Sequence, residues 1–207
     1  MGSSAIIVDL GLGNLRSVAR AFARAGAEPT VTDDPERVRR ADRVVVPGQG
    51  AFRDAARALA EGLGDAVREV IGAGKPYMGI CLGMQTLFER SEEAPGEPGL
   101  GVYPGEVKRF ESDMRDPATG ERLKVPHMGW NEVSGNHPLL PAWGWFYFVH
   151  SYHCVPAKDS LVVGRADYGG PFCAAIAQDN VFACQFHPEK SSREGHHLIE
   201  RFLTSWS

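Results

Sequence analysis

A cysteine between two glycines, at the junction of a predicted strand and a predicted helix, constrains this chain more than any other feature. Residues 77–80 form an apolar run typical of a short buried strand, and residues 82–89 have the pattern of a helix. Cys81 therefore lies in a sharp turn, which Gly79 and Gly83 permit because bulkier residues would clash there. The N–H groups and positive dipole end of the helix would favour a thiolate and offer donors to an oxyanion. The pattern predicts a nucleophile elbow, with a small buried core cysteine as the alternative.

Strand and helix patterns alternate through the first half of the chain. Strands are predicted at 5–9, 29–32, 43–47 and 77–80. Helices are predicted at 15–25, in a short segment that begins at 34–35, and after residue 50 up to about 73, with a break near 62–64. Asn14 is expected to cap the first helix and Gly26 to end it. This alternation predicts a doubly wound parallel sheet, in which ligands bind beyond the carboxyl ends of the strands. Segments 9–14 and 47–50 are expected to meet Cys81 at that edge.

The second half has short strand patterns separated by turns, which indicate antiparallel or mixed pairing. They follow a loop at 91–99 that is rich in Pro, Gly and Glu. Strands are predicted at 101–103, 106–110, 123–125, 145–149, 161–165, 172–177 and 181–185, and a last helix at about 194–206. The charged run 89–93 is interpreted as the solvated end of the helix after Cys81. No linker divides the sequence, so residues 1–207 are predicted to form one domain.

Composition narrows the class of function. A hydrophobic content of 43% and a net charge of -4 indicate a globular protein without a basic surface for nucleic acid or anionic membranes. Four cysteines without disulfide or metal spacing suit a reducing compartment. No apolar run approaches the ~20 residues of a membrane span, and no signal peptide is visible, so a cytoplasmic protein is predicted. The Gly-x-Gly turn at 11–13 lacks the third glycine of a dinucleotide fingerprint, which disfavours NAD binding.

A His-Pro-Glu segment follows the last predicted strand. His187 and Glu189 are two residues apart, so an extended backbone, stiffened by Pro188, would direct both to one face. A histidine oriented by a carboxylate and facing a cysteine is a nucleophile–base–orienter arrangement. A surface histidine beside an acid is the alternative for this segment alone, and its combination with Cys81 favours catalysis. Two histidine pairs, 150/153 and 196/197, lack a third ligand, so no metal site is predicted.

Residues 79–85, together with Phe-His-Pro-Glu at 186–189, resemble the class I (triad) glutamine amidotransferases. Four further segments resemble the glutaminase subunits of imidazole glycerol phosphate synthases, which act in histidine biosynthesis: residues 9–17, 125–131 (Val-Pro-His-Met-Gly-Trp-Asn), 147–152 and 188–191. The resemblance covers almost the whole chain. It implies an α/β fold, a flavodoxin-like three-layer sandwich whose central, mostly parallel sheet has additional antiparallel strands in the C-terminal half.

The resemblance also implies the roles of the site residues. Cys81 would attack the amide carbon of glutamine, His187 would transfer protons, and Glu189 would fix the imidazole tautomer. The oxyanion would be held by the N–H of Leu82 and by a backbone N–H in Gly48-Gln49. The family usually has valine where Gln49 stands, and the backbone carries the role, so this departure alters at most how readily that peptide rotates. Substrate contacts are implied for Gly50, Gln85, His150, Ser151 and Tyr152.

A partner is implied as well. It is a cyclase of the (β/α)8-barrel type that would take up the ammonia and form imidazole glycerol phosphate and aminoimidazole carboxamide ribotide. Interface positions are implied for Asn14, Trp130, Asn131, Tyr147 and Lys190, and His127 is expected on the same surface. No cofactor is implied.

Two other functions stay open at this point. A free-standing cysteine hydrolase of γ-glutamyl compounds would need no partner, and the segment 126–131 argues against it. A non-catalytic binding or chaperone protein with a redox-sensing cysteine would not need His187 and Glu189. Glutamine turnover with and without a cyclase distinguishes the three.

Overall fold

Parallel strands form the half of the sheet that carries the Cys81 turn. The structure is a computed structural model and describes residues 3–116 and 118–205. Its parallel strands, numbered with the others in chain order, are β1 (Ser3–Val8), β2 (Ala27–Thr32), β3 (Val44–Gly48), β4 (Tyr77–Cys81) and β12 (Val181–Cys184), in the spatial order β2-β1-β3-β4-β12. The predicted parallel sheet is confirmed, and β12 brings the end of the chain beside β4.

Helices cover both faces of these strands, which makes three layers. They are α1 (Leu15–Arg24), α2 (Pro35–Arg39), α3 (Phe52–Ala60), α4 (Leu63–Gly72), α5 (Leu82–Gln85) and α6 (Ser192–Thr204). The Asn14 side chain accepts a hydrogen bond of 3.1 Å from the Ser17 N–H, and Gly26 follows α1 with a φ of +92°, as predicted. Gly62, with a φ of +85°, separates α3 from α4. The predicted last helix extended to Trp206, which lies outside the described residues.

The core lies on both sides of the sheet because successive strand residues point to opposite faces. In β3, Val44 and Val46 pack with residues of α2, α3 and α4. Val45 packs on the other face, with Phe22 of α1 and Phe202 of α6. None of the helices in the described ranges is long and apolar enough to cross a membrane.

The C-terminal half extends the same sheet with mostly antiparallel strands. They are β5 (Arg90–Ser91), β6 (Gly105–Arg109), β7 (His127–Gly135), β8 (Trp143–His150), β9 (Tyr152–Pro156), β10 (Val162–Asp167) and β11 (Pro171–Gln178). The order β12-β11-β10-β7-β8 continues the sheet, with each pair antiparallel, and β9 joins β6 to β11. The sequence did not predict β7 and β9. The strands predicted at 101–103 and 123–125 do not form.

The helix after Cys81 is shorter than predicted and ends at Gln85 instead of Glu89. To continue the helix, the Leu87, Phe88 and Glu89 N–H groups would donate to the carbonyls four residues earlier. Instead the Leu87 N–H donates to Met84 O and the Phe88 N–H to Gln85 O, each at 3.2 Å, and the Glu89 N–H donates to Gly105 O at 3.4 Å. Segment 99–103 binds the carbonyls that follow: the Leu100 N–H donates to Thr86 O at 2.7 Å and the Tyr103 N–H donates to Leu87 O at 3.1 Å. The same bonds explain why segment 101–103 is not a strand.

The charged run 89–93 is not the solvated end of a helix, because it contains β5 and its three carboxylates bind backbone groups. Glu89 accepts from the Gly105 N–H, Glu92 from the Arg109 N–H and Glu93 from the Phe52 N–H, at 2.9–3.0 Å. Acidic residues in this run therefore connect β5 and its flanking turns to neighbouring elements.

Candidate active site

Cys81 ends β4 and precedes α5, and its backbone has a conformation that residues other than glycine rarely adopt. Its φ is +53° and its ψ is -105°. A Cβ on Gly79 would lie 2.6 Å from the Gly83 carbonyl oxygen, and a Cβ on Gly83 would overlap the Val46 carbonyl oxygen. The Tyr77 hydroxyl donates to Gly83 O at 3.0 Å and fixes the turn. The predicted elbow is confirmed: a strained cysteine lies in a turn that requires both glycines.

The His-Pro-Glu segment brings a carboxylate to the imidazole. His187 Nδ1 lies 2.8 Å from Glu189 Oε1, and the two side chains are only 2% and 4% exposed. The backbone between them is not extended as predicted, because Pro188–Lys190 form a turn of 3-10 helix. Proline fits the first position of such a turn, and the Lys190 N–H donates to His187 O at 3.0 Å.

The charge of His187 depends on its two neighbours. Burial disfavours the imidazolium, but the favourable interactions with Cys81, together with those with Glu189, outweigh it and raise the pKa of His187 to about 9. At neutral pH this site therefore favours a protonated imidazole beside the sulfur. A cation in that position favours a thiolate.

Ser191 fixes the main chain around His187. Its hydroxyl donates to His187 O at 2.6 Å and accepts from the Tyr147 N–H at 3.0 Å. The His187 N–H donates to Tyr147 O at 2.9 Å. Edge strand β8 therefore holds the segment that carries the histidine.

Two buried glutamines lie on another side of the sulfur. Gln185 Nε2 donates to Cys81 Sγ at 3.5 Å, and Gln185 Oε1 accepts from Gln85 Nε2 at 3.1 Å. Gln85 Nε2 also donates to Tyr152 O at 3.1 Å. Both N–H bonds of the Gln85 amide are thus used within the protein, which leaves its amide oxygen to accept a bond from a ligand.

A cavity of about 460 Å³ opens above Cys81. It is lined by Gln49, Gly50, Cys81, Leu82, Gln85, Glu93, Pro126, Tyr147, Val149, His150, Ser151, Tyr152 and Lys190. Its size suits a small metabolite, and its wall combines the Cys81 thiol with amide, hydroxyl and charged groups.

Comparison with known proteins identifies the family. The sequence model described as glutamine amidotransferase class-I matches residues 6–206. The chain is 47% identical over 203 residues to the imidazole glycerol phosphate synthase subunit HisH of Syntrophotalea carbinolica, with 95% of this chain and 98% of that protein covered. It is 49% identical over 209 residues to HisH of Methylococcus capsulatus, with 97% and 96% covered. The chain belongs to the class I glutamine amidotransferase family.

Solved structures agree with this amidotransferase in fold. The structure of PurLQS from Thermotoga maritima has a TM-score of 0.76 at 20% identity, with 100% of this chain and 99% of that chain covered. A structure titled crystal structure of glutamine amidotransferase has a TM-score of 0.74 at 23% identity, with 98% of each chain covered. The sandwich fold that the sequence resemblance implied is confirmed.

In this amidotransferase the predicted oxyanion segment lies next to the elbow. Gly48 pairs with Cys81 across β3 and β4, and a Cβ on Gly48 would lie 2.9 Å from the Leu82 Cβ. A Cβ on Gly13 would lie 3.1 Å from the Gln49 nitrogen. Segments 9–14 and 47–50 therefore meet the elbow at the edge of the sheet, as predicted. The oxyanion role itself stays a prediction.

The predicted interface residues of this amidotransferase differ in exposure. Asn14 is exposed, Trp130 is 48% exposed, and Tyr147 and Lys190 are half-buried at the cavity. Asn131 is half-buried, and its amide binds Asp167 O, the Glu132 N–H and His127. Their contact with a partner stays a prediction.

His127 is not on the surface, contrary to expectation. It is buried in β7, where its ring stacks between Phe148 and Tyr168 with centroids 4.8 and 4.0 Å away. Its strand pairing places it directly opposite His150 of β8.

The sequence interpretation missed Gln185, Glu93 and Ser191 as residues of the site. Gln185 directly precedes Phe-His-Pro-Glu, so its position beside the triad histidine was the available signal. Glu93 reaches the cavity from the charged run, and no local pattern distinguishes it from its neighbours Glu89 and Glu92.

Proposed function

We propose that the chain is the glutaminase subunit of an imidazole glycerol phosphate synthase in histidine biosynthesis, formed by residues 1–207 as one amidotransferase domain. One observation carries the proposal: the strained Cys81 lies beside His187, whose other ring nitrogen is 2.8 Å from a buried Glu189 carboxylate. The near full-length similarity to HisH subunits supports the assignment to this synthase.

Cys81 acts as the nucleophile and His187 as the proton carrier. The thiolate attacks the side-chain amide carbon of glutamine, and His187 gives its proton to the nitrogen as the C–N bond breaks and ammonia leaves. The neutral imidazole then takes a proton from water, which attacks the glutamyl thioester and releases glutamate. Glu189 binds Nδ1 and so directs Nε2, which makes no hydrogen bond within the described ranges, toward the sulfur.

The oxyanion of each tetrahedral intermediate is held by backbone donors. Leu82 supplies one N–H at the start of α5, and the Gly48-Gln49 peptide supplies the other. One such donor is worth on the order of 10²–10³ in rate. Gln49 lines the cavity, so its side chain would lie near the substrate while its peptide serves the oxyanion.

The cavity wall holds the rest of glutamine. The free amide oxygen of Gln85 accepts from the substrate's amino group, while Gly50, Ser151 and Tyr152 enclose its main-chain atoms. The His150 ring forms part of the wall, but both of its nitrogens are engaged within the protein, so its role is to hold Tyr152 O in place.

Ammonia passes to a cyclase partner of the (β/α)8-barrel type in a cytoplasmic heterodimer. The partner uses it to form imidazole glycerol phosphate and aminoimidazole carboxamide ribotide. Asn14, Trp130, Asn131, Tyr147 and Lys190 form the contact surface. Trp130 supports this, because a large apolar side chain left half-exposed is typical of an interface.

Cys81→Ala tests the proposal, because the thiolate is the only nucleophile at the elbow. We expect the variant to lose glutamate production, measured with partner present, while the complex still forms product from added ammonium salts. Ammonia release from glutamine at the wild-type rate would contradict the mechanism. Full glutamine turnover by the wild-type chain without a cyclase would favour the free-standing hydrolase instead.

A further inference from the structure

A chain of hydrogen bonds runs inward from the outer strand pair, and its direction is set at one end by a backbone carbonyl. Asp167 O can only accept, so the group that lies 2.7 Å from it is the NH₂ group of Asn131. The same NH₂ group lies 3.3 Å from His127 Nε2, which must therefore be an acceptor. His127 Nδ1 then carries the ring proton and donates to His150 Nε2 at 3.1 Å.

A second backbone carbonyl, that of Tyr152, requires the same proton positions on the two histidines. Tyr152 O lies 2.8 Å from His150 Nδ1 and can only accept, so Nδ1 carries the proton and Nε2 is free to accept from His127. Both histidines must be neutral for these bonds to form. Burial favours that state, since it lowers the pKa of His127 to about 4 and that of His150 to about 3.

The chain continues from Tyr152 O to the nucleophile. Because Tyr152 O accepts from Gln85 Nε2, the second N–H of Gln85 points to Gln185 Oε1. The Gln185 amide is thereby oriented with its N–H toward Cys81 Sγ. Each link between Asp167 O and the sulfur joins a donor to an acceptor, and no amide or ring in this series can be reversed without losing a bond.

We propose that Gln185 is a further catalytic residue, whose amide N–H stabilises the Cys81 thiolate, and that Gln85, His127 and His150 are positioning residues that hold this amide through the chain. The predicted effect of Gln185 on glutamine turnover rests on the proposed function. Its predicted effect on the charge of the Cys81 sulfur rests only on the hydrogen bonds described above.

Several titratable groups lie around the sulfur. His187, Cys154 and Cys184 interact with it electrostatically, and Glu93, Tyr147, Tyr152 and Lys190 line the same cavity. The two thiols stay neutral because burial raises their pKa well above the usual value. His187 and Gln185 are side-chain donors next to Cys81 that can favour negative charge on its sulfur.

The test measures the rate at which iodoacetamide alkylates Cys81 as a function of pH, with Cys81→Ala giving the background from the other thiols. Gln185→Met keeps the length of the side chain and removes the N–H. A hydrogen bond to a charged group contributes enough to move the pH midpoint up by about one to two units. Gln185→Glu, which puts an acceptor in place of the donor, should move it at least as far. Glutamine turnover of Gln185→Met should fall about ten- to hundredfold, mainly in kcat.

The positioning residues are tested with a matched pair at His127. His127→Leu removes the donor to His150. His127→Asn places an N–H near the former Nδ1 position, so its alkylation midpoint should lie close to that of the wild type. His137→Asn is the control, because His137 accepts from the Leu139 N–H and lies outside the chain of bonds. Its midpoint and turnover should match those of the wild type.

The outcomes separate the two proposals. An unchanged alkylation midpoint in Gln185→Met and Gln185→Glu would overturn the role of Gln185, even if turnover fell. A midpoint that moves in these variants but not in His127→Leu would overturn the positioning chain. A wild-type chain that does not hydrolyse glutamine with a cyclase, yet shows the shifted midpoints, would contradict the proposed function and leave this inference standing.

Discussion

His187 is the residue whose charge controls the candidate reaction. Cys81 and Glu189 raise its pKa to about 9 against the effect of burial. In the proposed mechanism the imidazolium is the proton donor to the leaving nitrogen, so kcat/KM for glutamine should fall as pH rises through about 9. The folded-state pKa lies above the value of about 6.5 expected in the unfolded chain. The stability that this pair contributes is therefore fully present below about pH 6.5 and lost as pH rises through about 9.

Glu189→Gln should move that alkaline limit to lower pH. The amide can still orient Nδ1 but carries no charge to favour the imidazolium, so we expect the pH–rate profile to bend earlier and kcat to fall by about tenfold. His187→Ala should lose far more activity, because it removes the proton carrier itself. A profile for Glu189→Gln that coincides with the wild type would show that this carboxylate does not set the charge of His187.

Site residues within short sequence motifs could be predicted from the sequence. Contacts that depend on how two strands pair could not. Cys81, His187 and Glu189 stand in short local patterns. The His127–His150 contact exists because β7 and β8 pair at those two positions, 23 residues apart in sequence. Register of this kind depends on which face of a strand is buried, and β7 was not predicted as a strand at all.

Helix α3 shows how one element depends on another that is distant in sequence. Ala51 precedes it and offers no side-chain cap, so the Glu93 carboxylate accepts from the Phe52 N–H at 2.9 Å. A negative charge there also matches the helix dipole. Glu93 thereby links α3 to the wall of the cavity.

Glu93→Ala should lower the free energy of unfolding by about 1 kcal/mol, the usual value of a lost N-terminal cap. Glu93→Gln keeps an acceptor and should lose less than half of that. Urea denaturation measures both, with Glu61→Ala, an exposed change at the other end of α3, as the control. Equal stability of Glu93→Ala and the wild type would mean that water caps this helix as well as the carboxylate does.

The bounds of helices with capping residues or glycines at their ends were predicted well. The bounds of helices that end through contacts with residues distant in sequence were not. The cap at Asn14 and the glycines at 26 and 62 mark their helices in the sequence itself. Helix α5 ends early because the Glu89 N–H, which would continue it, donates to Gly105 O, and no residue near Gln85 indicates that contact. The 3-10 turn at 188–190 escaped notice because proline also fits an extended strand.

On the scale of the whole molecule, two of the proposed partner contacts, Tyr147 and Lys190, line the cavity itself. Lys190 lines the cavity and makes no ion pair with any residue in the described ranges. Its position directly after Glu189 would allow a carboxylate of the partner to act on the reaction centre.

Lys190→Ala should weaken activation by the partner more than it weakens glutamine binding. We expect partner plus acceptor ligand to raise glutamate production by at least about 10²–10³, the value of one oxyanion donor brought into place. Steady-state glutamate production with and without partner and ligand measures both effects. Full activity of the isolated wild-type chain, or normal activation of Lys190→Ala, would contradict the corresponding half.

The position of β12 between β4 and β11 has a consequence for the protein during its synthesis. Cys81 and Gln185 are 104 residues apart in sequence, and the strand that brings them together leaves the ribosome after β1 to β11. A nascent chain or a fragment that ends before Val181 would contain the thiol but neither Gln185 nor His187. By the proposed mechanism, a chain cut short there could not release ammonia, and glutamine would be protected from incomplete copies of this protein.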